Sequence, residues 1–185
     1  MSAPVWTDGR AWRASFRMPI RRPSGWAMAA LVVLGSVFGL SHPAARVIYN
    51  ASASAPLGFY WLDRNSVLQR GALVLAWAPS WARRLAAERG YLPFDVPLVK
   101  RIIAIRGDRI CARRRTIFLD GHTVATRVAK DREGRGLPHW QGCRVLGEGE
   151  LFLLMAAVPD SFDGRYFGPI RRRAVIGRLT PLWTW

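Results

Sequence analysis

Acidic residues, cysteine and histidine are all scarce in this chain of 185 residues. Twelve Asp and Glu face 28 Lys and Arg, which gives a formal charge of +16 and a pI near 11.6. Such a balance ordinarily points to nucleic acid or to an anionic membrane surface. Here the excess is mostly arginine spread along the chain, as at Arg83, Arg84, Arg113 to Arg115 and Arg171 to Arg173. No zinc-finger spacing or recognition-helix pattern accompanies it, so no specific nucleic-acid partner is expected. A genome-wide bias toward arginine would give the same count. Two cysteines, Cys111 and Cys143, exclude a disulfide scaffold and a four-ligand zinc site. They leave room for one bridge in an oxidising compartment, or for two unrelated buried thiols. The three histidines, His42, His122 and His139, share no spacing, so no metal or other cofactor is expected. None lies in a motif that would complete a Ser-His-Asp triad. Internal repeats are absent too.

What is present begins with a charge asymmetry. Residues 1–24 carry Arg10, Arg13, Arg17, Arg21 and Arg22 against a single Asp8. The stretch from Gly25 to Ser41 then carries no charge at all over 17 residues, the short limit for a membrane helix. Pro23 and Pro43 bound it, and Trp26 is placed as an interface anchor. The upstream arginines predict a cytoplasmic N-terminus and an exterior remainder. A cleaved signal peptide and a buried core helix are the competing readings. The run is long for a signal peptide, and Ser41-His42-Pro43 is a poor cleavage site. The expected organisation is therefore a basic cytoplasmic segment over 1–24, a membrane anchor over 25–41 and one periplasmic domain over 43–185. Half the residues are hydrophobic, enough for a sizeable core in that domain.

Beyond the anchor, short apolar runs bounded by turn residues predict strands at Phe59 to Leu62, Ala72 to Trp77, Val99 to Ile105, Leu151 to Met155 and Val175 to Leu179. Arg109 to Ala112, Thr116 to Leu119 and Thr123 to Ala125 predict a meander with Asp120-Gly121 as a hairpin turn. One short helix is expected across Trp81 to Arg89, capped by Ser80 and ended by Gly90. Lys130 to His139 and Asp160 to Gly168 read as loops. The fold class is mainly β.

Three stretches carry candidate chemistry. Asn50 to Tyr60 alternates serine with alanine before Pro56 and Gly58. In an extended segment Ser52 and Ser54 would share a face, and small neighbours would leave the backbone open to a second peptide. A plain turn after the anchor is the alternative. Lys100 interrupts the apolar run Pro97 to Ile105. Burial would lower its pKa and let a neutral amine take a proton from serine, whereas on an edge strand its tip would sit in water. In Asp160 to Gly168, Asp163 and Arg165 are spaced to pair, and Ser161 is placed to orient the Lys100 amine. An ordinary surface ion pair is the competing view.

Taken together, Ser54-x-Pro56-x-Gly58, Lys100-Arg101 leading into Gly107-Asp108, and Ser161-x-Asp163-x-Arg165-Tyr166-Phe167-Gly168 resemble the boxes of type I signal peptidases, in order. A finer resemblance is to the TraF conjugative-transfer peptidases. It rests on Asn50-x-Ser52-x-Ser54-x-Pro56-x-Gly58, Arg89-Gly90-Tyr91-Leu92 upstream of Pro97-Leu98-Val99-Lys100-Arg101, and Gly134-Arg135-Gly136-Leu137-Pro138 before Trp140-x-Gly142-Cys143. The single residue between Ser54 and Pro56 departs from the Ser-Met-x-Pro of general signal peptidases and favours the TraF group. Gly164 stands where a serine is usual, and Arg106 where proline is frequent.

The resemblance implies a signal-peptidase and LexA-like β-fold with one short helix behind an N-terminal transmembrane helix. It implies Ser54 as nucleophile, Lys100 as general base, and the Ser54 N–H with the Ser52 hydroxyl as oxyanion hole. It makes Ser161, Asp163 and Arg165 supporting residues. It also implies a membrane-embedded pilin precursor as substrate, with cleavage coupled to head-to-tail cyclisation in part of the group. A general signal peptidase that removes secretory leaders is the alternative expectation. If the domain lies outside the cytoplasm, Cys111 and Cys143 are expected to pair.

Overall fold

The computed structural model of the chain describes residues 46–185. The expected basic segment and the expected anchor lie outside the described residues. Among the described residues no helix is long and apolar enough to cross a membrane.

The architecture is mainly β. Its elements in chain order are β1 (Val47–Asn50), β2 (Gly58–Asp63), β3 (Leu73–Ala76), α1 (Ser80–Glu88), β4 (Leu98–Ala104), β5 (Arg109–Arg113), β6 (Thr116–Leu119), β7 (His122–Thr126), β8 (Gly142–Val145), β9 (Glu150–Leu154), α2 (Gly164–Phe167), β10 (Ile170–Arg171) and β11 (Val175–Thr184). Seven strands form one antiparallel sheet in the order β1-β2-β11-β3-β4-β9-β10. The other four form a second, in the order β7-β6-β5-β8.

Burial follows the sequence pattern. In β2, buried Gly58, Tyr60 and Leu62 alternate with exposed Phe59, Trp61 and Asp63, as period-two geometry requires of a sheet with one wet face. The unbroken apolar runs of β3 and β9 are buried throughout, because both strands lie inside the large sheet. Ala104, Ile110, Ala112, Ile117, Phe152 and Leu154 make a core between the two sheets. The meander turns at Asp120-Gly121 with φ of 49° and 88°, the left-handed pair that a two-residue hairpin needs.

Three local expectations are corrected. Ser80 does not cap α1: Pro79 holds the cap position, no side chain bonds the first turn, and Ser80 is the first helical residue. Asp160 to Gly168 is not wholly a loop. Asp163 turns its carboxylate onto the Arg165 N–H and starts the short helix α2, so the domain has more than one helix. Finally, Ser52 to Ala55 is a turn closed by the Ala55 N–H on the Ser52 carbonyl at 3.3 Å, not an extended segment.

Candidate active site

The site is assembled from the β1–β2 connection, the middle of β4 and the loop before α2. Gly58 ends the first of these. Its φ is +138°, and a Cβ there would lie 2.1 Å from the Trp183 carbonyl oxygen on β11. Only glycine permits that approach, which explains its place in the motif.

Within the turn the Ser52 and Ser54 hydroxyl oxygens lie 3.0 Å apart, and the Ser54 N–H points at Ser52 Oγ at 3.4 Å. The two hydroxyls meet through the bend of the turn and not through strand alternation. Asn50, absent from the expected site, is central to this arrangement. Its side chain reaches forward to the carbonyls of Ser52, Ala55 and Pro56, and accepts from the Ser52 N–H. A polar residue at the end of an apolar strand, two positions before the first serine, was the available signal.

Strand β4 brings the amine. It runs between β3 and β9, with Lys100 opposite Val74, so the edge-strand alternative does not apply. Lys100 is 2% exposed. Its Nζ lies 2.6 Å from Ser54 Oγ, although the two residues are 46 apart in sequence. Burial lowers its pKa to about 8 from the usual 10.5. The Asp163 carboxylate opposes that shift, and the Arg165 guanidinium adds to it. Of the 28 basic residues, Lys100 is one of only two lysines. Arginine cannot be deprotonated in a protein, so lysine is the one basic residue here able to act as a base.

The third element is a fully buried ion pair. Arg165 Nε lies 2.8 Å from Asp163 Oδ1, and neither side chain is more than 1% exposed. Asp163 also accepts from the Met155 N–H at 3.0 Å. Arg165 donates to the carbonyls of Met155 and Pro159, each at 2.8 Å. Such complete satisfaction is what a buried pair requires if it is not to destabilise the fold. Gly164 between them is tight against β9: a Cβ would lie 2.6 Å from the Leu153 carbonyl oxygen. The serine usual in the resembling sequences has no room here.

One expected contact is not made. Ser161 is 3% exposed, but its Oγ finds no hydrogen-bond partner among the described residues, so it does not bond Lys100. The amine is turned onto Ser54, and the Asp163–Arg165 pair fixes the loop without Ser161. Arg127, another buried residue that sequence reasoning missed, ties the same loop down from β7's end by donating to the carbonyls of Trp140 and Arg165.

The motifs near Arg89 and Gly134 also meet. Arg89 donates to the Gly136 carbonyl at 2.9 Å, Arg135 donates to the Arg89 carbonyl at 3.3 Å, and the Tyr91 hydroxyl donates to Asp131. Burial opposes ionisation of Asp131, but hydrogen bonds from Tyr91 and Arg135 outweigh it and hold the carboxyl well below the usual range. Cys111 and Cys143, directly opposite each other across β5 and β8, are bonded as a disulfide.

A mostly β domain that sets a serine hydroxyl against a buried lysine amine has the groups of a serine peptidase that works without histidine. The chain belongs to the signal peptidase, peptidase S26, family, whose family model matches residues 24–184. It is 32% identical over 167 residues to a plasmid transfer protein TraF of Escherichia coli, covering 85% of this chain and 91% of the relative. It is 33% identical over 171 residues to a conjugal transfer protein TraF of Agrobacterium fabrum, covering 87% and 92%. Among solved structures it matches a signal peptidase I of Enterococcus faecalis at 22% identity and a TM-score of 0.37, over 62% of this chain and 98% of that one.

Proposed function

We propose that the chain is a membrane-anchored serine endopeptidase that matures a pilin precursor for conjugative transfer, with Ser54 and Lys100 as its catalytic dyad. The observation that carries this reading is the 2.6 Å approach of the buried Lys100 amine to Ser54 Oγ. With a pKa of about 8, roughly a tenth of the lysine is neutral at pH 7.

The chemistry then runs without a cofactor. Ser54 Oγ attacks the scissile carbonyl as its proton passes to Lys100 Nζ. The Ser54 N–H and the Ser52 hydroxyl stabilise the oxyanion, which takes the place of the Ser52 oxygen that the N–H points at here. The ammonium returns its proton to the departing amine, the C–N bond breaks and an acyl-enzyme remains. Water resolves it to a free carboxylate, and an incoming amine resolves it to a new peptide bond and a ring. The Asp163–Arg165 pair braces the loop beside Lys100.

The assignment to pilin maturation rests on the extended similarity to proteins named for plasmid and conjugal transfer. The charge pattern of residues 1–41 supports a single anchor in the inner membrane, a cytoplasmic N-terminus and a periplasmic domain, with the membrane-embedded precursor as partner. The test is mass spectrometry of the mature pilin from cells carrying the native chain or Ser54→Ala. Processing is expected only with the native chain. A product lighter by one water than the linear peptide identifies cyclisation, and unchanged processing by Ser54→Ala overturns the reading.

A further inference from the structure

The turn that carries Ser54 has almost no hydrogen bonds of its own. Pro56 supplies no N–H, and between Ser52 and Pro56 the backbone closes on itself once, through Ala55. Its carbonyls therefore need donors from elsewhere. Asn50, 4% exposed at the end of β1, supplies them. Its Nδ2 lies 3.0 Å from the Ser52 oxygen, 3.2 Å from that of Ala55 and 3.0 Å from that of Pro56. Two N–H bonds serve three acceptors, so one is shared. Its Oδ1 accepts from the Ser52 N–H at 3.1 Å. One carboxamide thus clamps both sides of the turn.

We propose that Asn50 is a positioning residue for the reaction: its carboxamide holds Ser52 so that the Ser52 hydroxyl and the Ser54 N–H converge on one oxyanion site. This rests on the peptidase reading above. The contacts form a chain from Asn50 to Ser52, from Ser52 to Ser54 and from Ser54 to Lys100. Asparagine suits the position because it offers donors and an acceptor from one short planar group. Aspartate turns acceptors toward three carbonyls, and glutamine inserts a methylene into a buried site.

Tyr60 provides the control. Fully buried, it donates its hydroxyl to the Pro56 carbonyl at 2.6 Å, and so braces the far end of the same turn without a hydrogen bond to Ser52. A residue that merely stiffens the turn should behave as Tyr60 does.

The test uses the full chain in detergent, cleaving a soluble peptide, with folding checked by thermal melting. Asn50→Asp is expected to lower kcat about a hundredfold with KM within about threefold, the signature of an interaction made in the transition state. Tyr60→Phe is expected to keep kcat within about threefold. In a Ser52→Ala background, Asn50→Asp is expected to cost less than tenfold more, because the two act through one hydroxyl. Affinity for an alanyl peptide boronic acid, which forms a tetrahedral adduct on serine, should fall in Asn50→Asp by a similar factor. Affinity for the unreactive peptide should not. Where Asn50→Asp does not fold, Asn50→Ser takes its place with the same expectation. A kcat loss shared equally by Tyr60→Phe, or fully additive losses with Ser52→Ala, overturns the positioning role. A native chain that neither cleaves the peptide nor binds the boronate overturns the peptidase reading, and this inference with it. A native chain that does both while Asn50→Asp matches it overturns this inference alone.

Discussion

In the seven-stranded sheet β3 and β9 are buried along their whole length, whereas every residue of β8 in the four-stranded sheet is exposed. The candidate dyad draws Lys100 from the larger sheet and Ser54 from the connection between two of its strands. The smaller sheet carries the disulfide. A deeply packed sheet can tolerate a buried amine and a buried ion pair, because apolar burial around them offsets the desolvation of charge. A thin sheet covered on one face has less apolar area to offer, and a covalent link between its paired strands compensates.

Breaking the proposed Ser54–Lys100 dyad should have the largest effect. Lys100→Met is expected to reduce processing at least a thousandfold in a pilin-processing assay. Stability should move the other way. The folded state lowers the Lys100 pKa from 10.5 to about 8, so between those values the unfolded chain binds more protons. Native stability therefore gains from Lys100 as pH rises through that window, and bears the full cost of a buried ammonium below it. At pH 7 the variant is expected to be more stable by on the order of 3 kcal/mol, measured by denaturant unfolding. A less stable variant would contradict this account of the larger sheet.

Breaking the ion pair comes next. Asp163→Ala leaves Arg165 buried without its carboxylate and removes the acceptor of the Met155 N–H. A loss of about 3–5 kcal/mol is expected in the same unfolding measurement. A loss under about 1 kcal/mol would show that the pair is surface-like in energy despite its burial.

The smaller sheet is probed by Cys111→Ser with Cys143→Ser. The bridge spans 32 residues of sequence, and closing a loop of that length constrains the unfolded chain by about 3–4 kcal/mol. Since neither sulfur lies in the dyad, activity at moderate temperature should persist while its thermal inactivation midpoint falls. Immediate loss of activity at moderate temperature would tie the two sheets together more closely than their separate means of support imply. In the native chain, two titratable thiols in denaturant without reductant would exclude the bridge.

The smallest effect is the sharpest probe of mechanism. On a soluble peptide, kcat/KM should fall about tenfold per pH unit below an apparent pKa near 8, as Lys100 takes up its proton. A flat profile on the acid side would exclude an amine base.

The sequence by itself determined the β class, the hairpin at Asp120-Gly121, most strand positions and the candidates Ser54, Lys100, Asp163 and Arg165. The strands and the hairpin were legible because they depend on local pattern, period-two burial and turn residues with left-handed φ, and Lys100 stood out by intruding on an apolar run, whereas Ser54, Asp163 and Arg165 were singled out by their resemblance to the signal-peptidase boxes. Only the tertiary structure decided the rest. That Lys100 lies in an interior strand with its amine 2.6 Å from Ser54 depends on strand order, which joins residues 46 apart. The Ser52–Ser54 bend depends on Asn50 satisfying three carbonyls, a side-chain to backbone arrangement that propensity does not record. The need for glycine at position 164 follows from its close packing against β9, and Ser161 is buried with its hydroxyl unpartnered among the described residues. Local periodicity fixes which face a residue takes, while the few tenths of an ångström that decide a hydrogen bond are set by elements distant in sequence.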